Sequence, residues 1–291
     1  MSLARRLWTA VEPLHALTYF APETADAARA AGLRGWWMGY FAGRLAPAGA
    51  VDAATGQALC FVFAPGRVGR ALPDAWEYAP PERVLRTRLD AVGTALARAL
   101  PDGLPPEELS ALTSLLERAA DACDVEDRPL AAAWAGVPRP ASPAAPLAAS
   151  PVASPTERLW LAATVLREHR GDGHLRAAAE HGLTGLDAGV THAATGRVPH
   201  DLLRTTRGWT EEEWDTAAEA LVARGLLTPD GLLTASGEAL RAAVEARTDE
   251  LAAPSDTALA EEIVARATPL ARHLFDTAAI PDPNPMGVPR P

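Results

Sequence analysis

Lysine is absent from this 291-residue chain, in which all 27 basic residues are arginine. Cysteine is scarce. Cys60 and Cys123 stand in no paired metal or redox spacing, and both lie among apolar residues. They read as small buried hydrophobes rather than reactive thiols. No apolar run reaches the roughly 20 residues that cross a bilayer. The N-terminus has Arg5 and Arg6 but no continuous apolar stretch after them, so a signal peptide is not expected and a cytoplasmic location is. Positive charge is in deficit: the formal net charge is −10 and the isoelectric point about 5.2. That balance suits poorly a protein whose task is to neutralise phosphates.

What the chain does have is apolar content, 48%, enough for a sizeable core. Residues 136–156, GVPRPASPAAPLAASPVASPT, are almost wholly Pro, Ala and Ser and read as a linker. Residues 280–291 carry several prolines and read as a flexible tail.

The most patterned stretch runs from Gly196 to Leu240. Pro199 suits the first turn of a short helix carrying Leu202 and Leu203 inward and ending at Gly208. Thr210 with Glu213 three residues on is a capping box. Trp214, Ala217, Ala218, Leu221 and Val222 follow at helical spacing. Leu226-Leu227 and Leu232-Leu233 flank Pro229-Asp230-Gly231, turn chemistry for a tight hairpin, and Thr234 opens another helix. Helix, turn, helix and hairpin in that order predict a winged helix.

The two sides of the linker echo each other. Arg6-Leu7-Trp8 recurs as Arg158-Leu159-Trp160, AAGLRG at 30–35 answers EHGLTG at 180–185, and Gly39 answers Gly189. GRV at 66–68 recurs at 196–198, Trp76 answers Trp209, ARAL at 97–100 answers ARGL at 223–226, and PDGL occurs at 101–104 and 229–232. Seven matches in one order predict an internal duplication. Residues 1–135 are then a diverged winged-helix repeat with an insertion near 44–64, where Ala58-Leu-Cys-Phe-Val-Phe63 reads as a buried strand. Residues 157–279 are the second repeat.

These elements resemble the MarR-type winged helix-turn-helix proteins. More narrowly, EPLHALTYFAPE at 12–23 and LREHRGDGH at 166–174 resemble segments of a fused, two-repeat MarR-like family. The resemblance implies a mainly α fold with short β wings, in which tandem winged helix-turn-helix repeats form a single-chain pseudo-dimer, monomeric and closed by its terminal helices. It also implies a pocket for phenolic or planar acids between those helices and the winged helix, and a role in transcription regulation.

DNA binding by the second repeat meets an obstacle. The candidate recognition helix opens with Glu211, Glu212 and Glu213, then Asp215 and Glu219. Acids there favour the helix itself and repel a duplex. Arg204 and Arg207 on the preceding helix form a modest basic patch, the candidate phosphate contacts, although such arginines are more often solvated surface or ion-pair partners.

Two segments carry chemistry. Glu168-His169-Arg170-Gly171-Asp172-Gly173-His174 places two imidazoles and two carboxylates together. Gly171 and Gly173 would end the helix there in a turn. Glu168, His169 and His174 could then act as acid and base or bind a divalent metal, with Asp172 a ligand contact. The spacing is not HExxH, and helix-end electrostatics explains the segment as well. The second segment joins His15 and Tyr19 to the Trp36–Arg44 run, where Trp37, Tyr40 and Arg44 share a helix side. It is either core packing or an aromatic pocket with a guanidinium for an acid. The expectation is a small-molecule-binding winged-helix protein, either a ligand-responsive regulator or a relative that has lost DNA binding. The alternative is an enzyme acting on a small aromatic or carboxylate-bearing molecule through the EHRGDGH segment. No cofactor, metal or membrane partner is called for.

Overall fold

In the computed structural model, residues 1–139 and 154–291 are described, so most of the 136–156 linker lies outside them. The first part holds α1 (Leu3–Ala16), α2 (Pro22–Ala30), α3 (Gly35–Leu45), α4 (Ala53–Leu59), α5 (Pro65–Gly69), α6 (Ala75–Tyr78), α7 (Pro81–Ala99), α8 (Pro106–Asp121) and α9 (Pro129–Ala135). The second holds α10 (Pro155–Glu180), α11 (Gly185–Ala193), α12 (His200–Arg207), α13 (Glu211–Ala223), α14 (Ala235–Leu251) and α15 (Thr257–Asp276).

Local chemistry sets the helix starts. Ser154–Glu157, Thr184–Asp187 and Thr210–Glu213 form capping boxes, and Thr234 accepts from the Gly237 N–H to start α14. Proline opens α2, α5, α7, α8, α9 and α10, where its missing donor costs nothing. Gly208, at φ +86°, ends α12 in the left-handed conformation that the tight turn into α13 needs.

The largest core is shared by both parts of the chain. Leu14 and Leu17 of the N-terminal region, Leu89 and Leu96 of α7, Leu116 of α8, Trp160 of α10 and Ile263 of α15 belong to one buried cluster. Helix α1 packs on α15, while α10 packs on α8 and α9. The paired Arg-Leu-Trp segments follow this exchange, for Arg6 of α1 pairs with Glu261 of α15 and Arg158 of α10 with Glu117 of α8. A second cluster, around Phe41, Phe63 and Leu72, lies within the first part. A third, around Val190, Leu203, Trp214 and Leu221, holds α11–α13 together.

Four sequence expectations are corrected. Ala58–Phe63 is not a strand. Helix α4 ends at Leu59, and a turn follows in which the Phe63 N–H donates to the Cys60 carbonyl at 2.9 Å. Only Cys60 and Phe63 of the turn are buried, a three-residue period with no neighbouring strand to pair. At the expected wing no strand forms among the described residues; there is a single antiparallel bridge, Leu227 to Leu233, because Pro229 follows too soon for a ladder. Around Pro101–Leu104 the first part has a turn and no bridge.

Gly171 and Gly173 do not end a helix, since α10 runs unbroken through them for 26 residues. Gly173 is there for approach: a Cβ would lie 2.3 Å from Nη1 of Arg128, whose guanidinium donates to the carbonyls of His169 (3.3 Å) and Leu251 (3.1 Å). The segment after residue 280 is tied down. Ile280, Asn284 and Val288 are buried, and the Asn284 amide closes the loop onto Val288 in both directions, at 2.9 and 3.2 Å. Arg290 pairs with Asp276.

Candidate functional site

A cleft of about 1580 Å³ opens between α1, α3, α10, the α11–α12 region, α14 and the C-terminal segment. It exceeds the roughly 300–1,000 Å³ of common ligand pockets and leaves room for an extended molecule.

One end of the cleft is aromatic. Helix α3 presents Trp36, Trp37 and Tyr40 within about one turn, and Tyr19 comes from the turn after α1. Ring centroids are 5.3 Å apart for Trp36–Tyr40, 5.1 Å for Tyr19–Tyr40 and 5.4 Å for Tyr40–Phe63. Trp36 is 48% exposed, so one face of its indole is open at the mouth of the cleft.

Beneath these rings runs a chain of charges. Arg44 of α3 grips Glu168 of α10 with Nε–Oε1 3.0 Å and Nη2–Oε2 2.9 Å. Arg167 donates to Glu168 at 2.6 Å and, more loosely, to Glu12 at 3.4 Å. Glu12 also accepts from the Trp8 indole at 3.1 Å. Burial alone would raise the Glu168 carboxyl, but Arg167 and Arg44 outweigh it and hold the group well below the carboxylate range. Burial pushes the Glu12 carboxyl up, with the nearby Glu168 charge adding to it, against the pull of Arg167 and the Trp8 indole. His15 stacks on Trp160 at 5.6 Å and bonds Thr164 and Tyr19 at 2.9 and 3.0 Å. Burial, with Arg167 and Arg88 nearby, keeps it neutral. Cys60 lines the cleft as a neutral thiol, pushed up to about 11 by burial.

Arg207 ends α12 and lines the same cleft. Its guanidinium stacks over Phe63 at 4.6 Å, and Nη2 donates to the Pro285 carbonyl at 2.9 Å. Among the described residues no carboxylate lies within 4.0 Å of it, and burial with Arg44 and Arg167 nearby lowers its affinity for the proton. Arg88 is 5% exposed, packs against the Tyr19 and Trp160 rings, and leaves Nε and Nη2 without partners.

The far end of the cleft is polar and nearly balanced. Arg5, Arg170 and Arg241 face Glu245 and Asp249, with Arg170–Asp249 at 2.7 Å and Arg241–Glu245 at 3.3 Å. His174 and His192 line this end, and His174 bonds the Thr248 hydroxyl at 3.0 Å.

The residues singled out from sequence therefore divide. Tyr19, Trp37, Tyr40 and Arg44 line the cleft, with His15 directly behind Tyr19. Glu168, His169 and His174 do not converge: Glu168 is locked between arginines, His169 lines a smaller cavity of about 390 Å³, and His174 stands at the polar end. On a continuous helix these positions point in different directions. Asp172 touches no cleft. Its carboxylate accepts the N–H groups of Leu130 and Ala131, both at 3.0 Å, and so caps α9. Among the described residues no group of three His, Cys, Asp or Glu is placed to hold a metal ion. Arg204 is turned toward Asp201 at 3.4 Å, and Arg207 points into the cleft instead of outward. Glu211, Glu212, Glu213, Asp215 and Glu219 are all exposed on α13.

Sequence reasoning passed over Phe63, Arg88 and Arg167. The available signal was an ionisable residue at a core-facing helical position, as Arg88 is between Val84 and Val92.

No helix among the described residues is long and apolar enough to cross a membrane. A family model described as a helix-turn-helix family matches residues 4–281. No curated protein and no solved structure matches.

Proposed function

Because the chain belongs to this helix-turn-helix family, we propose that its helix-turn-helix element, α12–α13, serves as one wall of a receptor for a small, anionic, aromatic molecule. The observation that carries this reading is the charge count at the aromatic end of the cleft. Three guanidiniums that line it, Arg44, Arg167 and Arg207, are met by two carboxylates, Glu12 and Glu168, and a fourth, Arg88, is buried behind Tyr19. Uncompensated buried charge costs several kcal/mol per ion. An acidic ligand would offset that cost while its rings stack on Trp36, Tyr40 and Phe63.

The reading also couples ligand to architecture. Arg207 is the last residue of α12 and immediately precedes the Gly208 turn. A ligand held by Arg207 therefore acts on the orientation of α13, as a ligand-responsive regulator requires. The exposed acidic face of α13 favours a protein partner or a lost duplex contact over direct binding of phosphates. The reciprocal packing of α1 on α15 and α10 on α8 supports the MarR-like pseudo-dimer formed by an internal duplication.

The test is a fluorescence titration with anilinonaphthalenesulfonate, an anionic aromatic probe, on the full chain. Saturable one-site binding, weakened about tenfold or more by Arg207→Gln, is expected. Absence of saturable binding would overturn the reading.

A further inference from the structure

We infer that Tyr19 forms an acceptor-only subsite, which selects ligands bearing an O–H or N–H donor at the end opposite their acidic group. The inference rests on the ligand-binding reading above and names the second recognition element of that site.

The Thr164 hydroxyl lies 2.7 Å from the Trp160 carbonyl oxygen and 2.9 Å from Nδ1 of His15. A carbonyl cannot donate, so the single hydroxyl proton occupies the contact to Trp160. Thr164 can then only accept from His15, which fixes the Nδ1–H tautomer. His15 is buried and neutral, so its Nε2 is a bare acceptor. That nitrogen lies 3.0 Å from the Tyr19 hydroxyl, and the phenolic proton must point to it. The Tyr19 oxygen is left with lone pairs and no proton to give.

A carboxylate or carbonyl against that oxygen is repelled, whereas a hydroxyl, phenol or amine is bound. The acidic end of the ligand belongs with Arg207, which among the described residues has no carboxylate within 4.0 Å. From Arg207 the rings of Phe63, Tyr40 and Tyr19 follow one another at contacts of 4.6, 5.4 and 5.1 Å, a path suited to a rod-shaped aromatic. Proton transfer along Tyr19–His15 is disfavoured. It would create an imidazolium already surrounded by Arg167, Arg88 and Arg44.

Calorimetric titration with para-phenylbenzoate and para-(hydroxyphenyl)benzoate separates the claims. The wild-type chain should bind the hydroxylated probe at least about fivefold more tightly. Tyr19→Phe should erase that preference while keeping para-phenylbenzoate affinity within about twofold. Thr164→Val, which frees His15 to take the other tautomer and turns the Tyr19 proton toward the cleft, should also abolish it, and serves if Tyr19→Phe does not fold. Equal binding of both probes to wild type, or a preference that survives either substitution, would overturn the inference and leave the receptor reading intact. Failure of both probes to bind would remove the reading and the inference together.

Discussion

Arg44 and Glu168 stand 124 residues apart in the chain and close a forked ion pair, two N–H···O contacts of 3.0 and 2.9 Å, with the Glu168 side chain fully buried. The pair joins α3 to α10, and Arg167 shares the same carboxylate. Removing the acid alone would strand two guanidiniums. Glu168→Ala should therefore cost about 3–5 kcal/mol in a urea unfolding titration. A cost below about 1 kcal/mol would mean that water reaches and solvates this cluster.

The loop after α4 meets the helix-turn-helix unit at equally close range. A Cβ on Gly185 would stand 1.9 Å from the Phe61 carbonyl oxygen, a backbone atom that cannot swing away. The same loop accepts from the Trp209 indole at 3.1 Å and gives the Ala64 N–H to the Arg207 carbonyl at 2.9 Å. Gly185→Ala should lower the melting temperature by several degrees, although alanine is the better helix former. An unchanged or raised melting temperature would show that the two parts do not pack this closely.

Asp172 and His169 are three residues apart and should behave oppositely. Asp172→Ala leaves the Leu130 and Ala131 N–H groups without their acceptor and should cost about 1–3 kcal/mol. His169→Ala should be near neutral for stability and leave probe binding in the main cleft unchanged. A loss of binding in His169→Ala at unchanged stability would restore the segment's ligand role.

These outcomes bear on what could be read in advance. The α12–turn–α13 unit was legible because its signals are local: a capping box, a glycine needing positive φ, and apolar residues at helical spacing. The aromatic segment and Arg44 were legible because scarce residue types were concentrated in one helix. The EHRGDGH segment was misread for the converse reason. Its glycines serve contacts to Arg128 and Arg167, distant or adjacent side chains that no local pattern announces. The 58–63 run was misread because apolar content without a pairing partner does not make a strand. Arg207 reads from sequence as half of a modest basic patch, and only the stacking of its guanidinium on Phe63 shows it turned into the cleft.

The polar end of the cleft predicts a pH dependence. Burial, with Arg241 nearby, holds His174 and His192 at about 4, below the ordinary imidazole value of 6.5. Between these values the unfolded chain takes up protons that the folded chain refuses. The stabilising effect is complete above pH 6.5 and is lost as pH falls toward 4, by of order 1–3 kcal/mol per imidazole. Asp172, raised to about 6 by burial, works in the opposite direction below pH 6. The comparison is therefore between wild type and His192→Asn, in which Asp172 cancels. The variant should lose less stability between pH 6.5 and 4.5 than wild type. Parallel curves would show that His192 is solvated.

The acidic face of α13 predicts weak duplex binding. Fluorescence anisotropy with random duplex DNA at physiological salt should give a Kd weaker than roughly 1 µM. Tighter binding would mean that another surface of this helix-turn-helix protein supplies the phosphate contacts.

The central claim is that the cleft is built for an anion, and calorimetric titration of the full chain with para-phenylbenzoate and its uncharged carboxamide tests it most directly. The carboxylate should bind at least about tenfold more tightly than the amide, and Arg207→Gln should shrink that ratio toward one. Equal affinities for acid and amide, or a ratio indifferent to Arg207, would contradict the account.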